Sequence, residues 1–225
     1  MSMFGNAKVG KQVTGNVKEL RMPGGARAFI IDGVYSKPDL VRELGLRAQK
    51  WEEPGAGKFA GHETCRGYYN HALVRRLESI VGAPIRIDEK RLVFGRFRLS
   101  RQGDIAPTGV HIDHSGWAAI VYLTPDEYVR GGLGIYRSVD PDLDAVPDER
   151  TLKELGYTSL LDFDLRFVTT RSTDTRAWRL SDVIPGRYNR MVVFEGCKVF
   201  HGVSELYGDI AERGRLTQNF FFDLA

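Results

Sequence analysis

A chain of 225 residues has room for one large domain or two small ones; no Gly/Ser-rich, Pro-rich or single-sign stretch divides it, so one domain over 1–225 is expected. Hydrophobic residues make up 42% and charged residues 27%, the balance of a globular protein, and a net charge of only +3 with dispersed basic residues argues against a nucleic-acid partner. There is no apolar run fit to cross a membrane, no signal-peptide core in MSMFGNAKVGKQVTGN, and no disulfide framework in Cys65 and Cys197 alone, so a reducing cytoplasm is the expected compartment.

In chain order, RAFIIDGVY (27–35) is a short apolar run closed by turn residues and predicts an early strand. SKPDLVRELGLRAQK (36–50) predicts a helix capped by Ser36, with Leu40, Val41, Leu44 and Ala48 on one face. Residues 51–67, rich in Gly, Pro and charge, predict a surface loop. YNHALVRRLESIVG (69–82) predicts a second helix with Leu73, Leu77, Ile80 and Val81 as its stripe and Gly82 as its stop.

From residue 90 the pattern becomes short strands separated by Gly, Pro and Asp turns: 91–100, 116–123, 131–138, 189–196, 198–206 and 215–225. Residues 139–188 interrupt it. DERTLKELGYTSLLDF is helical in pattern, RFVTTRSTDTRAWRL is polar and ambiguous, and the whole reads as an insertion between strands. Helices first and many strands after suggest a mainly β fold with flanking α: a jelly-roll core over 91–225, supported by an N-terminal strand and helices in 1–90.

One stretch carries candidate chemistry. In GVHIDHSGWAAIVYL (109–123), alternation along an extended strand sends His111 and Asp113 one way and Ile112 and His114 the other. An imidazole and a carboxylate on one face can occupy adjacent positions on a divalent metal. His201, in CKVFHGVSEL, can supply a third, and two His with one carboxylate leave half an octahedral iron open. The triplet alone also reads as a polar turn that contains two histidines.

The order of parts narrows this. His-x-Asp precedes a strand ending in Tyr122, a Gly-Gly turn and strand follow at GGLGIY, then FHGV at His201, then ERGRLTQNFFF. This order resembles the iron(II)/2-oxoglutarate-dependent dioxygenases, the branch with prolyl-hydroxylase-like cores, over about residues 91–225. The resemblance implies a double-stranded β-helix, or cupin-like jelly roll. It implies Fe(II) on His111, Asp113 and His201, with 2-oxoglutarate as cosubstrate and O2 as oxidant. It also implies an oxidoreductase that hydroxylates an unactivated C–H bond. Arg215 would pair with the far carboxylate of 2-oxoglutarate, with Thr217 and Tyr122 as hydroxyl donors. An Asp at position 113, where related halogenases carry a small residue, argues against halogenation.

The residue pattern agrees, since Arg215, Thr217 and Asn219 share one strand face and an Arg fork grips a carboxylate through two hydrogen bonds. Arg213, on the same parity, is a competitor beside the Gly214 turn. A small molecule, such as a free amino acid or a secondary-metabolite intermediate, is the expected substrate. A peptide substrate, a cupin metalloenzyme that needs no 2-oxoglutarate and a non-catalytic jelly-roll binding protein remain as alternatives.

Other residues have plainer expectations. His114 sits outside the ligand set or in solvent; His62 and His71 lie on the surface or a helix. Cys197 is a small buried hydrophobe. Trp117, Phe200 and Phe220–Phe222 are core. Arg96 and Arg98 share a face read as solvent-facing, although a face lining the barrel would let one hold an anionic group of the substrate. The arginines of the insertion form a mixed charged surface or a lid over the site.

Overall fold

The computed structural model describes residues 17–225, so the reading of the first sixteen lies outside the described residues. In chain order the strands begin β1 (Val17–Arg21), β2 (Arg27–Asp32), β3 (Trp51–Glu52), β4 (His62–Thr64), β5 (Ile85–Arg86) and β6 (Phe94–Ser100). They continue as β7 (Trp117–Tyr122), β8 (Gly132–Ser138), β9 (Trp178–Pro185), β10 (Arg190–Phe194), β11 (Phe200–Val203) and β12 (Arg215–Leu224). The fold is mainly antiparallel β. One sheet runs β1-β2-β10-β7-β12-β6-β4-β3, with β5 on the end of β12; a smaller one runs β11-β8-β9. His111 bridges antiparallel to His201 and so prolongs the smaller sheet past β11.

Alternation along β12 explains the layering. Leu216, Phe220 and Phe222 face a core layer shared with helix α1 (Pro38–Leu46) and helix α2 (His71–Val81), which contributes Leu73, Leu77 and Val81. Helix α2 starts where the Asn70 side chain accepts a hydrogen bond from Leu73 N at 3.0 Å and stops at Gly82, whose φ of +80° suits a residue without Cβ. Helix α1 differs from expectation. Its cap is Lys37 rather than Ser36, with no side-chain bond, because a lysine ammonium has no acceptor; Pro38 in the first turn leaves one fewer amide there in need of a partner.

The opposite face of the large sheet meets the small one. Ala118, Tyr122, Val192 and Phe194 pack on Leu133, Ile135 and Ile184. Beyond the small sheet, a third cluster joins Val110, Ile112 and Phe200 to Leu152, Phe163, Phe167, Val168 and Trp178. Those last residues come from helix α3 (Glu149–Glu154), helix α4 (Leu160–Phe163), the helical turns after it and the start of β9.

Residues 51–67 are not only loop, because β3 and β4 extend the large sheet beside β6 and bury Glu63. The stretch 139–188 contains β9, the edge strand of the small sheet, so the segment between strands ends at residue 177. Most of β9 is exposed, and its apolar residues Leu180, Val183 and Ile184 do not alternate with its polar ones, which removed the pattern by which strands are recognised.

Candidate functional site

The site lies between the sheets, and strand register assembles it. Thr217 of β12 pairs with Tyr122 on one side and Arg98 on the other, while Arg215 pairs with Ser100. At Asn219 the pairing jumps from Arg96 to Phe94, leaving Gly95, φ +77°, as a bulge. That extra residue lets Phe94 enter the helix-side core while Arg96 and Arg98 stay on the face of Thr217 and Asn219.

His111, Asp113 and His201 come together. One donor atom from each lies within 4.8 Å of the others, with His201 Nε2 3.3 Å and His111 Nε2 3.8 Å from the Asp113 carboxylate oxygens. Each imidazole is tied back by its other nitrogen: His111 Nδ1 to the Gly109 carbonyl at 3.1 Å and His201 Nδ1 to the Val199 carbonyl at 3.0 Å. A carbonyl only accepts, so Nδ1 carries the proton in each contact and the Nε2 lone pairs turn toward Asp113.

Asp113 is held by its amide, which donates to the Gly196 carbonyl at 3.1 Å. Its Oδ2 is buried without a hydrogen-bond partner. Burial, then His201 beside it, pulls His111 down to about 4, leaving a neutral imidazole. Burial pushes the Asp113 carboxyl up, but the two imidazoles outweigh it and hold the group below the usual carboxylate range. Burial lowers His201, and Asp113 more than cancels this. Such an ensemble of two imidazole nitrogens and one carboxylate oxygen has the chemistry of a divalent-metal site.

The cavity beside the triad has a volume of about 370 Å³ and is walled by His111, His201, Arg215, Arg98, Asn219 and Phe59, among others. Arg215 is 4% exposed, its guanidinium 5.4 Å from the Tyr122 ring centroid, and its Nε has no hydrogen-bond partner. The Thr217 and Tyr122 hydroxyls, on the same sheet face, are likewise buried and unpartnered. Burial pushes the Tyr122 hydroxyl up, partly offset by the Arg215 charge, so it remains a donor. Tyr122 is therefore both a core residue and a polar group facing Arg215.

Arg213 is half exposed, 3.9 Å from Asp209 and stacked at 5.6 Å on Tyr128, so it is outside the cavity wall. His114 is turned from the triad, its Nε2 2.8 Å from Asp164. Cys197 is half-buried, its thiol 3.6 Å from the Gly116 carbonyl. His62 and His71 are exposed. The solvent-facing reading of Arg98 is corrected: it is largely buried, lines the cavity and pairs with Glu63 at 2.9 Å. Residues 139–177 do not line that cavity; they back the small sheet, with Ser172 Oγ accepting from Gly109 N at 2.9 Å and donating to the Val110 carbonyl at 2.6 Å.

Sequence reasoning missed Phe59, Glu63 and Gly196. The first two reach the site from the stretch read as loop. Gly196 matters only because Asp113 lies against it, a contact no local pattern encodes.

A family model described as a family of unknown function (DUF6445) matches residues 14–222. The chain belongs to the DUF6445 family. None of the curated proteins matches it. The DUF6445 match takes in the triad, the Arg215–Thr217 pair and both flanking sheets. No helix among the described residues is long and apolar enough to cross a membrane.

Proposed function

We propose that this chain is an iron(II)- and 2-oxoglutarate-dependent oxygenase, built on a double-stranded β-helix, that hydroxylates a small molecule. The observation that carries the reading is a set of four buried polar atoms without partners: Asp113 Oδ2, Arg215 Nε, Thr217 Oγ1 and Tyr122 Oη. Each would cost about 1–3 kcal/mol if left unpaired, so a bound anion beside a bound metal accounts for all four at once. The strand order supports the jelly roll. β10-β7-β12-β6 of the large sheet face a small sheet of β9, β8, β11 and the His111 segment.

His111, Asp113 and His201 would hold the iron, Asp113 supplying the anionic ligand and the tied-back imidazoles their Nε2 atoms. Bound there, iron with 2-oxoglutarate supplies the power to oxidise an unactivated C–H bond, with dioxygen as the oxidant. Arg215 holds the far carboxylate of the keto acid by its fork. Thr217 and Tyr122 donate hydroxyls to the same group. Ile120, Leu133 and Phe194 in the cavity wall keep water away from it. The volume suits a small molecule better than a folded partner.

Anaerobic titration with Fe(II) and then 2-oxoglutarate, followed by visible absorbance, tests the reading. A metal-to-ligand charge-transfer band is expected in the wild type and absent in His111→Ala. Iron demonstrably bound, with no band at saturating 2-oxoglutarate, overturns it. A cupin metalloenzyme without the cosubstrate would show this result and would also tolerate Arg215→Ala.

A further inference from the structure

We propose that Arg98 is the anchor for a carboxylate on the substrate, which makes a small, largely apolar carboxylic acid the substrate class. This rests on the oxygenase reading above, in which the far carboxylate of 2-oxoglutarate is already assigned to Arg215. Arg98 is then a second guanidinium in the same cavity to which that reading assigns no ligand.

Its existing partner does not exhaust it. Glu63 takes one Arg98 bond at 2.9 Å and is shared with Arg96 at 3.4 Å, so one buried carboxylate serves two guanidiniums. Arg96 has a second, solvent-facing partner in Glu52; Arg98 has no second ion pair among the described residues, and its Nε is buried and unpartnered. A guanidinium offers five donors, and its natural complement is a planar carboxylate gripped by two of them.

Position sets the scale of the ligand. The Arg98 guanidinium lies over the Phe59 ring, 5.1 Å from its centroid, and the edge of the same ring system meets His111 at a centroid distance of 5.1 Å. One aromatic ring therefore bridges the anion anchor and the triad, so a carboxylate on Arg98 places a carbon only a few bonds away beside the metal ligands. The outer wall at Ile105, Ala106, Val203 and Leu206 is apolar and suits a hydrocarbon body. Arg98 is thus the residue that selects the substrate and sets which carbon is presented.

The test is ligand-observed NMR titration of the full chain loaded with Zn(II) and 2-oxoglutarate, a redox-inert pair. The probes are short-chain carboxylic acids, free amino acids and the primary amide of each. Acids are expected to bind and their amides to bind about ten-fold more weakly or worse. Arg98→Met should bring acids down to the amide level while 2-oxoglutarate affinity stays within about two-fold. Glu63→Gln, which releases Arg98 from its internal anion, should tighten acid binding, an effect that a folding defect does not produce. Absence of acid binding overturns the proposal, as do equal binding of acid and amide and wild-type acid binding by Arg98→Met. So does a loss confined to 2-oxoglutarate, which would make Arg98 part of the cosubstrate site. If the wild type takes up no 2-oxoglutarate, the oxygenase reading falls, and the acid–amide contrast on unloaded protein still decides the role of Arg98.

Discussion

Gly196 is the residue against which Asp113 of the His–Asp–His triad packs most tightly. A Cβ there would stand 1.9 Å from Asp113 Oδ2, inside any real contact. Gly196→Ala should therefore displace the carboxylate and cut affinity for a divalent metal by about ten-fold or more, as disturbing the support of a ligand does; calorimetric titration beside a thermal melt separates this from unfolding. Arg215→Ala is expected to leave metal affinity alone and weaken 2-oxoglutarate by about 2 kcal/mol, roughly 30-fold, measured by quenching or by the visible band. At this scale the pairing of His111 with Asp113 was legible because residues two apart in an extended segment point the same way, even though His111 sits at an isolated bridge and Asp113 lies outside any strand. That Arg98 lines the cavity was not legible. Alternation puts it on one face of β6, but whether that face meets water or the small sheet depends on strands far away in the chain.

The turn between β10 and β11 carries the next level of control. Glu195, just before Gly196, accepts from Arg27 N at 2.7 Å and from Lys198 Nζ at 2.9 Å, and so ties the turn behind Asp113 to the start of β2. Burial pushes its carboxyl up, but Lys198 and the Arg27 amide outweigh burial and hold it below its ordinary value of 4.5. A depressed carboxyl adds stability above its ordinary pKa, and that contribution is lost as pH falls through the lower, folded-state value. Glu195→Gln should lower the urea midpoint at neutral pH by an amount equivalent to about 1 kcal/mol and narrow the stability difference between neutral and acid pH. Equal midpoint shifts at pH 7 and at pH values well below 4.5 would show that the charge plays no part. Among the elements, β6, β7, β8, β10, β11 and β12 were readable because each is an apolar-rich run, buried along most of its length and bounded by turn residues. β3, β4 and β5 are two or three residues long and show no period, and β9 is exposed along most of its length without an apolar alternation.

The molecule as a whole places its cavity between two sheets and buttresses the smaller one from outside. Phe163 is fully buried in that outer cluster, 6.2 Å from the Phe200 ring, next in the chain to His201. Phe163→Ala should cost about 3–5 kcal/mol in denaturant unfolding and loosen the metal site with it. Ligands that bind only the folded state add stability: divalent metal at about a hundred times its Kd should contribute about 2.7 kcal/mol, seen as a melting shift that chelator reverses and His201→Ala abolishes. What the sequence determined alone was local: the mainly β character, the two N-terminal helices and the direction of each candidate side chain along its own strand. These follow from periods of about two and 3.6 residues, which need no knowledge of distant chain. Only the tertiary structure decided which strand faces the cavity. It brought Phe59 and Glu63 from the supposed loop to Arg98, set Gly196 against Asp113, and put residues 139–177 behind the small sheet rather than over the site. Those contacts join residues far apart in the chain, and they are decided by which apolar faces must be buried together, a condition no single segment carries.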